Sequence, residues 1–96
     1  MYITRIWMSQ RSLRRAGQIP AMMEVVSENG DLPPITLARC EDGEIQLDDG
    51  HHRLTAIWLT GRKVLEDHEY ILVEKDQWKP RCGKIEDLIG SKCWNW

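Results

Sequence analysis

The stretch Glu44-Ile-Gln-Leu-Asp-Asp-Gly-His-His-Arg-Leu-Thr-Ala-Ile-Trp-Leu-Thr-Gly61 changes its hydrophobic period halfway along. Over 44–48 apolar and polar residues alternate, which predicts a half-buried strand. Beyond Asp49-Gly50 the apolar residues fall at Leu54, Ile57 and Trp58, the i, i+3, i+4 spacing of a helix with one buried face. Gly61 supplies the stop. Upstream, Glu41-Asp-Gly-Glu44 contains the Asp-Gly hairpin dipeptide, so Ile35–Arg39 reads as the strand that precedes the turn. Leu32-Pro-Pro-Ile35 enters it extended, because each proline fixes its own φ and restricts the residue before it.

Further out, Pro20 suits the start of a helix, where its missing N–H costs nothing. Met22, Val25 and Val26 give that helix a buried face, and Asn29-Gly30 ends it. Tyr2–Met8, rich in β-branched and aromatic residues, reads as a first strand. The polar and basic run Ser9–Gln18 has no periodicity that assigns an element. On the other side, Glu69–Glu74 reads as a fourth strand, and Ile85, Leu88 and Ile89 as a last small helix. This order predicts a single α+β domain over 1–96, with a mixed sheet of about four strands packed against two to three helices.

Apolar residues at 42% and charged residues at 29% are ordinary globular values and exclude wholesale disorder. No apolar run approaches the roughly 20 residues of a membrane span, and the arginine-bearing start does not read as a signal peptide. A cytoplasmic, non-membrane protein is the expectation. The net charge of −2 hides an asymmetry: residues 1–20 hold four arginines and no acid, while the remaining 76 hold nine bases against fifteen acids. A local basic arm is thus present, and Arg11, Arg14 and Arg15 are its candidate nucleic-acid contacts. A solvated charged segment is the plainer reading. Cys40, Cys82 and Cys93 are odd in number and widely spaced, which fits reduced thiols rather than a disulfide framework or a zinc site.

Chemistry concentrates in Asp48-Asp49-Gly50-His51-His52-Arg53. The first turn of a helix presents unpaired N–H groups and the positive end of its dipole, so it attracts anions. Gly50, His51, His52 and Arg53 are the candidate phosphate ligands, Arg53 through a planar fork that binds oxygens in pairs. Asp48, Asp49 and His51 are the candidate catalytic groups: the carboxylates could hold Mg²⁺ or orient a water, and a histidine moves protons near neutral pH. The bland reading gives Asp49 a capping role and leaves the histidines and Arg53 solvated. Adjacent helical residues diverge by about 100°, so His51 and His52 make no shared metal site.

Leu32-Pro-Pro-Ile35, a hairpin, then Asp49-Gly-His-His-Arg-Leu-Thr-Ala56 and Gly61 together resemble the ParB N-terminal/sulfiredoxin superfamily, over about residues 20–74. The box 49–53 is similar to the Asp-Gly-His-His-Arg box of that superfamily's free-serine kinases. It is also similar to the Asp-Gly-Gln-Gln-Arg box of certain restriction NTPases. The resemblance implies a nucleotide (ATP, ADP or CTP, with Mg²⁺) bound at Gly50–Arg53, and NTP hydrolysis or phosphoryl transfer as the chemistry. Sulfiredoxins place a reactive cysteine where this chain has His51, so a sulfinic-acid reductase is excluded. The second arginine of the partition proteins' Gly-Glu-Arg-Arg box is missing too. The alternative is a small DNA-associated or protein-interaction module of a mobile element, of the ParB-like nuclease type, with a degenerate pocket. Of the remaining residues, His68 reads as a surface histidine, Trp58 as core, and Trp7 and Trp78 as partly buried. Trp94 and Trp96 either fold back on the core or form a patch for a partner or a homodimer.

Overall fold

A computed structural model describes residues 1–10, 13–75 and 79–89. Five strands form one mixed sheet: β1 (Ile6–Met8), β2 (Ile35–Arg39), β3 (Ile45–Asp49), β4 (Tyr70–Glu74) and β5 (Gly83–Lys84), in the order β4-β2-β3-β1-β5. The hairpin pair β2–β3 is antiparallel, as is β1–β5, whereas β1–β3 and β2–β4 run parallel. Three helices accompany it, α1 (Ile19–Ser27), α2 (His51–Leu59) and α3 (Ile85–Leu88). The architecture is α+β, with one strand more than the periodicity predicts. Two-residue β5 carries no apolar alternation that could have revealed it.

The first predicted strand is shorter than expected. Ile3–Arg5 forms a 3-10 turn, closed by the Arg5 N–H donating to the Tyr2 carbonyl, and only Ile6–Met8 is extended. A three-residue turn brings positions i and i+3 to one side. Ile3 and Ile6 are accordingly both fully buried, which a continuous strand would not achieve.

Registers sort the strand residues by face. Ile6, Met8, Ile35, Leu37, Ile45 and Leu47 point to one side and meet Ile19 of α1 and Leu54, Ala56 and Ile57 of α2 in a single core. Trp58 sits at its edge, half-buried, with the Lys63 ammonium 3.7 Å from its ring centre. Trp7, Ala38 and Gln46 line up on the other face. There the chain crosses back from β4 to β5, and Gln46 clamps it: its side-chain nitrogen donates to the Lys79 and Pro80 carbonyls, and its oxygen accepts from the Lys79 N–H. Arg81 and Lys84 flank the Trp7 ring. No helix among the described residues is long and apolar enough to cross a membrane. Cys40 is buried and Cys82 half-buried, both as thiols, while Cys93, Trp78, Trp94 and Trp96 lie outside the described residues.

Candidate functional site

Gly50 joins β3 to α2 with φ +111°, a conformation that L side chains rarely adopt. A Cβ there would stand 2.5 Å from Ile35 Cγ2 and 2.8 Å from its Cβ. Glycine is therefore required by close packing against β2, rather than to give a ligand room at the backbone. No side chain caps the helix that follows, and its first turn carries no acid. The positive end of a nine-residue helix thus opens on a cleft of about 500 Å³. Gln10, Arg14, Arg15, Gln18 and Met22 form one wall, and Asp49–Arg53 the other.

Each side chain of the box has a structural partner. His51 is 3% exposed, and its Nε2 accepts the Ser9 N–H at 3.1 Å; the Ser9 hydroxyl donates to the Leu47 carbonyl at 2.7 Å. Burial, reinforced by the nearby Lys79 and His52 charges, lowers the His51 pKa to about 4, so the ring is neutral near pH 7. The next imidazole works in the same manner: His52 Nε2 accepts the Arg15 N–H at 2.9 Å. Its pKa is also lowered, first by burial and then by the Arg15 charge.

Arg53 reaches across to the Pro-Pro segment. Its Nη1 donates to the Pro33 and Pro34 carbonyls at 3.1 and 2.9 Å, and its Nη2 pairs with Asp49 one helical turn back at 3.2 Å. Pro33 and Pro34 lie just before β2, outside the sheet, and the guanidinium takes up their carbonyls. Arg53 still borders the cleft, but its fork is already shared with the protein.

Asp48 and Asp49 are drawn to different partners, at a break in the β2–β3 register where Leu37 pairs with Leu47 but Thr36 pairs with Asp49. Asp48 lies on the Gln46 face, with both carboxylate oxygens 2.9 Å from Lys75 Nζ, and Lys79 Nζ donating to its backbone carbonyl at 2.7 Å. The Lys75 hydrogen bond, with help from the Lys79 charge, holds its carboxyl below the usual carboxylate range. It does not border the cleft. As a catalytic base, His51 fares no better, since Ser9 occupies its accepting nitrogen and the ring is buried. No group of three or more metal-ligating side chains occurs among the described residues.

Within the basic arm, Arg14 and Arg15 are exposed on the rim of the cleft, and Arg11 lies outside the described residues. Ser9, Gln10 and Gln18 join the site without any sequence signal of their own, from the run that periodicity left unassigned, and Met22 joins it from α1. A second cleft of about 260 Å³, on the far side of the Pro-Pro segment, holds His68 exposed between Asp31 (3.4 Å) and Glu66 (3.5 Å). Arg62 pairs with Glu69 at its edge. Compared with known proteins, the chain matches no family model, no curated sequence and no solved structure.

Proposed function

We propose that the cleft at the start of α2 binds a phosphate-bearing anion of the nucleotide class. One observation carries the reading: an uncapped helix N-terminus opens on a cleft rimmed by Arg14, Arg15 and Arg53, with Asp49 the one carboxylate among the described residues of its walls. Helix dipole and guanidinium forks act on the same anion there. A cleft of about 500 Å³ falls within the roughly 300–1,000 Å³ common for small-molecule sites. The resemblance of Asp49–Arg53 to nucleotide-binding boxes points the same way.

Support is stronger for binding than for phosphoryl transfer. His51 and His52 have their accepting nitrogens engaged by Ser9 and Arg15, so neither stands ready to activate a nucleophile, and Asp49 shares one carboxylate oxygen with Arg53. Asp48, facing away, offers the cleft no second carboxylate for Mg²⁺.

Calorimetric titration with ATP, CTP and pyrophosphate tests the reading. A charge-assisted hydrogen bond contributes about 1.5–3 kcal/mol, so Arg14→Ala and Arg15→Ala are each expected to weaken binding roughly 10- to 100-fold. These two are better probes than Arg53→Ala, which also frees the Pro33–Pro34 carbonyls. Failure of every probe to bind, or unchanged affinity in the double variant, would overturn the assignment. The exposure of Arg14 and Arg15 also suits the phosphates of DNA, and such binding would fall steeply with salt.

A further inference from the structure

We propose that His52 is a proton-operated latch: its neutral ring holds the Arg14–Arg15 turn against the start of α2, and protonation lets that turn lift from the cleft. The latch is a single bond between groups 37 residues apart, the Arg15 N–H donating to His52 Nε2 at 2.9 Å. An imidazole nitrogen accepts only while it lacks a proton. Imidazolium carries N–H on both nitrogens, so two donors would face each other across that distance.

The surroundings make the charged ring unwelcome. Arg14 and Arg15 on the turn, and Arg53 and the neutral His51 on α2, line the same cleft as His52, and the Arg15 charge acts on its ring. Lys79, from the β4–β5 crossover, acts on His51 beside it. Among the described residues of the walls Asp49 is the one carboxylate, and it is already bonded to Arg53. A proton arriving on His52 therefore creates a half-buried cation beside Arg15, and lifting the turn relieves the repulsion, the burial and the lost bond.

Anchors on either side confine the motion. Ser9 is tied to His51 and to the Leu47 carbonyl, Leu13 is buried in the core, and Ile19 at the start of α1 is fully buried. Arg14–Gln18 is left as the part that moves, a short turn closed by the Gln18 N–H on the Arg15 carbonyl. His51 makes the matching bond to Ser9 but is buried and stays neutral to about pH 4, so it serves as the fixed end. The latch needs no ligand in the cleft, and it stands whether or not the anion-binding reading does.

The test is a pH titration of the intact, ¹⁵N-labelled protein from pH 7.5 to 5.0, following the His52 ring nitrogens and the backbone amides. The Arg15 amide is expected to shift with the same midpoint as the His52 ring. Its exchange protection, corrected for the intrinsic pH dependence, should drop at least tenfold below that midpoint while the Leu47 and Ile57 amides stay protected. In His52→Gln, whose side-chain oxygen accepts without titrating, the pH dependence at Arg15 should disappear. An Arg15 amide unmoved through the His52 titration overturns the latch. So does a pH-dependent loss that persists in His52→Gln, or one that Leu47 and Ile57 share.

Discussion

Gly50 carries more structural consequence than its neighbours with charge or hydrogen-bonding groups. Its φ of +111° and the 2.5 Å gap that a Cβ would leave to Ile35 mean that any side chain must distort either the β3–α2 junction or β2. Strain at such a φ and overpacking each cost about 1–3 kcal/mol, so Gly50→Ala should destabilise the fold by about 2–4 kcal/mol. Gly17 is the control: nothing lies within 4 Å of its would-be Cβ, and Gly17→Ala should be neutral or slightly stabilising. Urea unfolding of the two variants checks the contrast, and equal midpoints would contradict it. Much at this scale was legible in the sequence. The Asp-Gly break between two hydrophobic periods locates the junction. The separate fates of Asp48 and Asp49 were not legible, because the β2–β3 register breaks between Leu47 and Asp49 and strand alternation does not carry through it. The partners of the histidines were not legible, because a backbone N–H at Ser9 or Arg15 leaves no trace in residue identity.

Among the elements, the least obvious is the crossover that brings β5 back beside β1. Gln46 is 2% exposed, and its amide exchanges three hydrogen bonds with Lys79 and Pro80. Removing the amide strands the Lys79 N–H and two carbonyls, at about 1–3 kcal/mol for each buried group left without water. Gln46→Ala should thus lower stability by a few kcal/mol at most, with the largest rise in amide exchange at Cys82 and Lys84. Hydrogen exchange measured by mass spectrometry checks this: a loss spread evenly over the sheet would contradict the clamp. β4, at the opposite border, leaves Ile71 54% exposed, so its apolar run marks an edge strand rather than a buried one. Periodicity alone does not separate those two cases, since a continuous apolar run is read the same way in either.

For the molecule as a whole, the buried His51 couples stability to pH. Its folded pKa, about 4, lies below the ordinary 6.5, so its contribution is complete above about pH 6.5 and drains away as pH falls toward 4. A shift of that size corresponds to about 3 kcal/mol, and His52 acts in the same direction. Asp42, Asp48 and Glu69, whose pKa values are lowered by Arg81, Lys75 and Arg62, lose their contributions only at lower pH. Unfolding free energies should therefore be level from pH 7.5 to about 6.5 and fall from there to pH 4.5, and a profile flat throughout would contradict a neutral, buried His51.

Hydrophobic periodicity and turn chemistry determined the α+β class, the order of the main elements, the hairpin, and the site of the β3–α2 junction. All are local properties, fixed by how neighbouring residues alternate and where glycine and proline interrupt them. Tertiary structure alone decided that the arginine-bearing run lies across the start of α2, that Arg53 clasps the Pro-Pro carbonyls, and that Asp48 belongs to lysines on the far face. Those outcomes depend on which strands become neighbours in the sheet and on backbone groups that every residue shares.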